Sequence, residues 1–478
     1  MITFDSLLLE EFYKEEKDFF IGARINKIQQ PTRKELILSL RNYGQTRKFY
    51  INIDPKFYHV CFISADNEKE RRIEIPSKPP MFCMLLRKYL ENSKISKVNQ
   101  PDGNRILELY IETYNELSDK IYLCLAIELM GKHSNIILYN TDTNIIIGCA
   151  HNVGAEKSSV REVYGTIPYV YPPEQNQNDY IQKRYAFCKT IVPDNRSINS
   201  TIDNYYSYLI AKNKFKNLKS KYITEVKTKL KKINKSYSDM QLQIKKYNDG
   251  DKYRLFGDLL MANLYKIKDY TNTVALYDYE NDKNIEINLD STKTIKENAN
   301  NFYKKYNKGK NAGIKLSELI EKQSQQIKYL ESLEYSINIS QNTEELNEVI
   351  KEIDDLKEEK KSIIKSSLEP IKIDLENGSR IYIGKNNKQN DYIISKLADE
   401  DDLWFHTKDC PGSHVLLKAQ NITETLIFEC AKLAKKYSSG SNSSKIGVIY
   451  TKRKYLRKPP KANPGYVTYK NEKEIIID

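Results

Sequence analysis

The sequence predicts an α+β protein of several domains with a long helical middle. Three observations support this prediction. At 478 residues the chain is too long for one ordinary hydrophobic core, so two to four domains are expected. Short segments with strand and helix periodicity alternate in residues 1–174, which predicts a mixed domain of helices and strands. Apolar residues recur at steps of three or four through residues 200–368, and a smaller mixed segment occupies residues 369–478.

The first segment combines helices and strands. Residues 6–19 have the spacing of an amphipathic helix, with Leu8, Leu9 and Phe12 toward a core, and residues 81–90 return to helical spacing. Apolar, strand-like spacing then recurs in several short stretches. Strands are predicted at residues 24–30, 35–40, 48–53, 105–113, 121–128 and, after a glycine turn, 136–138.

The middle of the chain is predicted to form a long coiled-coil arm behind a turn-rich linker at residues 175–199. The first apolar seam comprises Phe215, Leu218, Tyr222, Val226, Leu230, Ile233, Tyr237, Met240, Ile244 and Tyr247. A second run starts at Ile314 and continues through Leu316, Leu319, Ile327, Leu330, Leu333 and Ile337, and a third spans residues 346–364. An arm of about thirty helical residues extends roughly 45 Å. A dimerisation zipper would show the same periodicity. A globular insert, predicted as a helix at residues 252–268 and a hairpin at residues 274–289, favours an antiparallel pair within one chain.

The last segment contains the only tryptophan and two of the five histidines, within DLWFHTKDCPGSHVLLK at residues 402–418. The Pro-Gly pair predicts a tight turn between two strands, which gathers polar side chains at one end of a small sheet. They are His406, Lys408, Ser413 and His414. Either the two histidines fill a core, or this end of the sheet belongs to an RNA-binding face.

A cluster of six cations follows this turn. Its members are Lys452, Arg453, Lys454, Arg457, Lys458 and Lys461. With Tyr455 among them, these residues suit phosphate contact and base stacking, although a solvated loop has the same composition.

Composition narrows the class of function. The chain has 77 Lys and Arg against 64 Asp and Glu, a net charge of +13, which favours a polyanionic partner. No apolar run reaches the length of a membrane span, and residues 1–19 carry acids where a signal peptide is basic, so we expect a soluble cytoplasmic protein without membrane partners. The seven cysteines are scattered and indicate reduced core thiols. Phosphate-binding, metal-ligand and nucleophile-elbow motifs are missing, so neither a cofactor, nor a metal, nor enzymatic activity is expected.

Four blocks near the C-terminus carry a specific resemblance. They are IYIGKNNKQND at residues 381–391, the tryptophan block, VIYTKRKYLRKPP at 448–460 and KANPGYVTY at 461–469. In this order and spacing they resemble the NFACT-R domain, also called DUF814, of the NFACT family, whose bacterial members include the RqcH-type ribosome quality-control factors. The resemblance covers about residues 371–478 and implies an RNA-binding domain of α+β type.

Residues 1–174 resemble the NFACT-N domain of the same family. The matching blocks are GARINKIQQPTRKELILSL, PPMFCMLLRKYLE and ELMGKHSNIILYN. This resemblance implies a fold akin to the N-terminal domain of formamidopyrimidine-DNA glycosylases. Their chemistry does not carry over, because they use an N-terminal proline as nucleophile and Ile2 follows Met1 here.

The resemblance also implies tRNA-binding residues. The family's Glu-Ile-Met triplet corresponds to Glu128, Leu129 and Met130, and its Asp-Arg pair, which contacts the tRNA anticodon arm, corresponds to Asn104 and Arg105. Arginine keeps its donors for phosphates or guanine, whereas asparagine replaces a pure acceptor with a mixed group that alters base preference. Asp102 is a candidate substitute for the missing acid. Alternatively, Arg105 only begins a strand and pairs with Glu128 or Glu108.

The function implied by the resemblance is ribosome quality control. Such a factor binds large ribosomal subunits obstructed by peptidyl-tRNA, recruits tRNA, alanine tRNA in bacterial relatives, and promotes template-free C-terminal tailing. The segment at residues 175–199 is too short for the family's helix-hairpin-helix module, so we expect a linker in its place. Two alternatives stay open: a surface fibronectin-binding adhesin, and a nucleic-acid-processing enzyme with a glycosylase-like fold.

Overall fold

A computed structural model describes residues 4–71, 73–101, 103–115, 117–173, 197–248, 250–278, 281–357, 369–460 and 462–478. The chain divides into two compact units, Met1–Lys214 and Phe215–Asp478. Both units mix helices and strands, and the middle of the chain is largely helical, which confirms the predicted mixed fold class. The predicted linker lies almost entirely outside the described residues. None of the helices in the described ranges has the length and apolar character needed to cross a membrane.

The first unit is built on an antiparallel sheet. Its described strands are β1 Arg24–Thr32, β2 Glu35–Asn42, β3 Gln45–Asn52, β4 His59–Ile63, β5 Lys94–Asn99, β6 Ile106–Tyr114, β7 Lys120–Glu128, β8 Asn135–Asn140 and β9 Ile146–Cys149. They pair in the order β4-β3-β2-β1-β5-β6-β7-β8-β9. Every strand predicted in this unit forms, although β4, β5 and β9 were not predicted.

Within the described residues, four helices contribute to the first unit: α1 Ser6–Phe20, α2 Ala65–Glu70, α3 Met81–Leu90 and the start of α4 Ile198–Asn248. The carboxylate of Asp5 caps α1 by accepting a hydrogen bond from the Leu8 N–H at 2.9 Å. Phe12 and Phe20 of α1 pack against Phe49 of β3 in the core. Asp203 of α4 accepts a hydrogen bond from buried Arg71 at 3.0 Å, so the first turns of α4 belong to this unit.

The helical middle continues in the second unit. After α4 come α5 Asp251–Ala262, the hairpin β10 Thr273–Asp278 and β11 Lys283–Asn288, α6 Ile295–Ile339 and α7 Thr343–Lys357. The apolar seam is buried within one chain, since Val226 of α4, Leu333 of α6 and Val349 of α7 share a core. Lys219 bonds the Asn338 carbonyl at 2.7 Å and Gln323 bonds Ser236 at 3.1 Å, so α4 and α6 run antiparallel.

The seam prediction was wrong at three positions. Tyr247 is 41% exposed, Ile314 53% and Leu319 47%. Apolar periodicity places residues on one face of a helix, but it does not say how far along that face a partner extends. The seam therefore stabilises only part of each long helix, and the description of the arm as a coiled coil stays a prediction.

The C-terminal part of the second unit is a small sheet with a covering helix. Its described elements are β12 Ile371–Asp374, β13 Arg380–Ile383, α8 Asn387–Tyr392, β14 Leu403–Thr407, β15 Val415–Lys418, α9 Glu424–Lys436, β16 Ile446–Lys452, β17 Leu456–Arg457, β18 Thr468–Tyr469 and β19 Lys473–Ile477. The main sheet has the order β12-β13-β15-β14-β16-β19. Leu403 pairs with Leu417, which confirms the predicted strands flanking the Pro-Gly turn.

An acidic face of α7 binds four consecutive residues before and within α8, a contact that we call the KNNK clasp. The pairs are Glu345 with Lys385 at 2.7 Å, Glu348 with Asn386 at 3.0 Å, Glu352 with Asn387 at 3.0 Å and Asp355 with Lys388 at 3.5 Å. Burial raises the pKa of the Glu352 carboxyl, although hydrogen bonds from Tyr329 and Asn387 oppose this effect. The clasp fixes the C-terminal sheet to the helical middle.

Candidate nucleic-acid interface

A groove of about 1250 Å³ opens on the first unit, and both tRNA-binding segments implied by the resemblance line it. The antiparallel pairing of β6 with β7 explains why they meet. Ile106 pairs with Glu128, so the residues just outside these strands adjoin, and the Leu129 N–H donates to the Arg105 carbonyl at 2.8 Å. A turn at Gly131, with φ of +62°, then leads the chain into β8.

Glu128 is buried and its carboxylate is fully engaged. Arg161 donates to its two oxygens at 2.9 and 2.8 Å, and the Tyr169 hydroxyl donates to it at 3.0 Å. Burial alone would lower the pKa of Arg161, but Glu128 outweighs burial and the pKa is raised. Glu128 therefore acts first as an anchor for Arg161. Leu129 is fully buried, while Met130 is partly exposed at the groove.

Arg105 and Asn104 both line the groove, and both are partly exposed. One Arg105 nitrogen donates to the Tyr58 hydroxyl at 3.4 Å, a long and weak bond. In the described part of the chain, its other donors and the Asn104 side chain have no hydrogen-bond partner. The alternative that Arg105 pairs with Glu128 or Glu108 is wrong, because other residues occupy both carboxylates. Asp102 lies outside the described residues.

The groove is strongly cationic, a feature that sequence reasoning missed. Besides Arg105 and Arg161 it is lined by Arg33, Lys78, Lys132 and Lys157, whereas Glu128 is the one acid among its described lining residues. Burial lowers the pKa of His151 in this groove, and the charges of Lys34, Arg33 and Lys157 lower it further. These cations come from five stretches that are far apart in the sequence, so only the fold brings them together.

The tryptophan block forms a buried cluster rather than an exposed face. Ser413 is 2% exposed and His414 is 4% exposed, while His406 is half-buried. Trp404 stacks on His406 with ring centroids 5.8 Å apart and meets His414 edge-on at 5.2 Å. Burial lowers the pKa of both histidines. The side chains of Ser413 and His414 are therefore buried in the free protein, as the core-filling alternative expects for His414, and RNA contact through them stays a prediction.

Four of the predicted lysines of the C-terminal domain pair with acidic residues at the surface. Lys408 pairs with Glu474 at 2.7 Å, Lys452 and Lys454 pair with Asp401 at 2.9 and 2.8 Å, and Lys458 pairs with Asp391. Arg453 donates through Nε to the Ile394 carbonyl at 2.7 Å, Arg457 and Tyr455 are exposed, and Lys461 lies outside the described residues. Exposed pairs of this kind contribute little stability, so these lysines can exchange their carboxylates for phosphates.

Comparison with known protein families gives two matches. The chain matches the family described as NFACT N-terminal and middle domains over residues 5–192 and 181–367. It matches the NFACT protein RNA binding domain over residues 373–471.

Relatives extend over the whole chain. The Rqc2 homolog RqcH of Bacillus subtilis is 27% identical over 569 residues, covering 100% of this chain and 98% of that protein. The Rqc2 homolog RqcH of Streptococcus suis is 28% identical over 547 residues, with the same coverage. Among solved structures, the C-terminal part of the fibronectin/fibrinogen-binding protein from Streptococcus suis has a TM-score of 0.44 at 26% identity, covering 55% of this chain and 94% of that one.

Proposed function

The chain belongs to the NFACT family and is homologous to RqcH-type ribosome quality-control factors, and from that premise we propose a specific function. The protein binds large ribosomal subunits that still carry a peptidyl-tRNA. It recruits tRNA, with alanine tRNA as the proposed species, and promotes template-free C-terminal tailing of the stalled nascent chain. It acts in the cytoplasm, and its partners are the large subunit, its ribosomal RNA and tRNA.

The groove of the first unit is the observation that carries this proposal. Asn104, Arg105 and Met130 line it together with cations that have few acidic neighbours. A guanidinium with unpaired donors suits a phosphate or the edge of a guanine. Glu128 supports the site by fixing Arg161. The anticodon arm of a tRNA, which presents both phosphates and unpaired bases, fits this chemistry.

We propose that the protein acts by positioning and is not an enzyme. The Glu128 carboxylate, the only acid among the described lining residues, is held by Arg161 and Tyr169 and is unsuited to act as a general base. Peptide-bond chemistry stays with the ribosome. Holding a tRNA beside the peptidyl-tRNA lowers the entropic part of the barrier without any catalytic side chain from the protein.

The C-terminal domain supplies a second RNA surface in this proposal. Lys408, Lys452, Lys454 and Lys458 have exposed side chains, and their carboxylate partners are exposed or partly exposed. RNA phosphates can replace such carboxylates, and the release of counterions from RNA drives the exchange. This surface and the helical arm bind the large subunit, and the groove binds tRNA.

This division of labour is tested by reversing one charge. Arg105→Glu places a carboxylate where the tRNA backbone would lie, so tRNA recovered with affinity-tagged protein should fall at least tenfold. Sedimentation with large subunits should be retained. The matched control is Arg41→Glu, because Arg41 is exposed in the same unit and lies outside the groove. Loss of both tRNA and subunits, or of neither, contradicts the proposal.

A further inference from the structure

Gln30 is buried in the groove with an unsatisfied acceptor. It lies on β1, lines the groove and is 3% exposed, and its Oε1 has no hydrogen-bond partner within the described ranges. Arg161 also lines the groove, and its Nε is likewise buried and unpartnered while its other nitrogens bind Glu128. Buried polar groups are nearly always satisfied, so an unpaired acceptor and an unpaired donor on one groove indicate a polar ligand.

The rim of the groove is suited to a flat apolar ligand. Met81 is 90% exposed and Val160 is 73% exposed, and both line the groove. Exposed apolar side chains of this size offer contact surface to an aromatic ring, and the methionine thioether adds a favourable contact with it. The nearby cations suit phosphates. The apolar side chains can contact the ring of a base, the buried polar atoms of Gln30 and Arg161 can hydrogen-bond its edge, and the outer cations can bind its phosphates. Together they match a nucleotide whose base is unstacked.

We infer that Gln30 determines which base this groove accepts. Its Oε1 accepts a hydrogen bond from the exocyclic amino group of adenine, cytosine or guanine, and Arg161 Nε donates to an acceptor of the same base. Uracil is disfavoured, because it has no exocyclic amino group to donate to the Gln30 oxygen. This inference rests on the proposed RNA-binding function and adds base selectivity to it.

The test measures binding of fluorescent oligo(A), oligo(C) and oligo(U) to the full-length protein. The wild type should bind oligo(C) and oligo(A) about tenfold more tightly than oligo(U), the discrimination expected of one well-formed edge contact. Gln30→Met removes the acceptor and should abolish this preference. Gln29→Met is the matched control, since the neighbouring Gln29 on β1 does not line the groove, and it should leave the preference unchanged.

Gln30→Glu keeps an acceptor in place and should retain the preference even if the methionine variant fails to fold. Three results would overturn the role of Gln30 without affecting the proposed function. They are no base preference in the wild type, a preference that persists in Gln30→Met, and a preference that is lost in Gln30→Glu. Oligonucleotide affinity that is unchanged by Arg105→Glu would instead show that RNA does not occupy the groove. The proposed function of the groove would then fail together with the role of Gln30.

Discussion

At the residue scale, Glu128 shows how the groove depends on one buried ion pair. Glu128→Ala leaves Arg161 partly buried without its carboxylate and removes the acceptor of the Tyr169 hydroxyl. Breaking a pair of this kind costs about 3 kcal/mol. We therefore expect the free energy of unfolding of the first unit to fall by about that amount in urea denaturation.

The matched control for Glu128 is Glu112→Ala on the neighbouring strand. Glu112 pairs with Lys120 at 3.0 Å, and both side chains are at least 40% exposed. Its loss should change the free energy of unfolding by less than about 0.5 kcal/mol. Equal effects of the two substitutions would show that Glu128 does not anchor Arg161.

Buried His414 gives a prediction about pH at the same scale. Burial, and then neighbouring His406, holds the pKa of His414 well below its usual 6.5 in the folded protein. The unfolded chain therefore binds more protons below pH 6.5, and stability is lost as the pH falls from 6.5 toward the folded pKa. Each such histidine contributes up to about 1.4 kcal/mol per pH unit in that window.

His414→Phe keeps an aromatic ring against Trp404 and removes the imidazole that binds a proton as the pH falls. Urea unfolding of this variant should lose less stability between pH 7.5 and pH 5.5 than the wild type. His133→Phe is the control, because His133 is exposed. Equal acid sensitivity of wild type and His414→Phe would contradict the assignment.

Residues of the groove were only partly predictable from sequence. Arg105, Glu128 and Met130 could be located because they sit in recognisable short blocks. Gln30, Arg33 and the pairing of Glu128 with Arg161 could not, because strand pairing joins segments with no local signal of contact. The burial of Ser413 was missed for a related reason, and for His414 the sequence left core filling and RNA contact both open, since a polar turn looks the same whether it faces solvent or an aromatic cluster.

At the scale of elements, the KNNK clasp is held by a partly buried ion pair. Burial raises the pKa of Glu345, but hydrogen bonds from the Gln341 N–H and from Lys385 outweigh it and lower the pKa. Glu345→Lys places two cations together and should destabilise the second unit by about 1–2 kcal/mol. The double variant Glu345→Lys with Lys385→Glu should recover most of that loss in urea unfolding.

Asp374→Ala provides the control for the clasp. Asp374 is 61% exposed in its pairs with Lys372 and Arg380, so its loss should have little effect. Failure of the charge swap to recover stability would show that the ion pair does not hold the clasp.

Most elements were predictable because their periodicity is strong. α3 begins and ends at the predicted residues, β6 is shifted by one residue, and β7 begins one residue earlier than predicted. β4 was missed because all five of its residues are buried, so its sequence lacks the alternation that marks a strand. The extent of the buried seam was also beyond prediction, because it depends on where the partner helix lies.

At the scale of the whole molecule, the order of the domains follows from the family resemblance, and the net charge of +13 follows from composition. Neither the resemblance nor the composition indicates which surface of the protein uses this charge to bind a partner. Among the described residues, the groove is lined by six cations and one acid, whereas four lysines of the C-terminal surface pair with carboxylates. That difference is why we propose tRNA for the groove and the large subunit for the paired surface.

The most direct test of the central claim is a tailing assay with purified components. Large subunits carrying a peptidyl-tRNA are incubated with the protein and alanyl-tRNA, without messenger RNA or small subunits, and the nascent chain is weighed by mass spectrometry. The account predicts a ladder of added alanine residues that Arg105→Glu removes and Arg41→Glu retains. A nascent chain of unchanged mass with the wild-type protein, or a ladder that Arg105→Glu leaves intact, would contradict it.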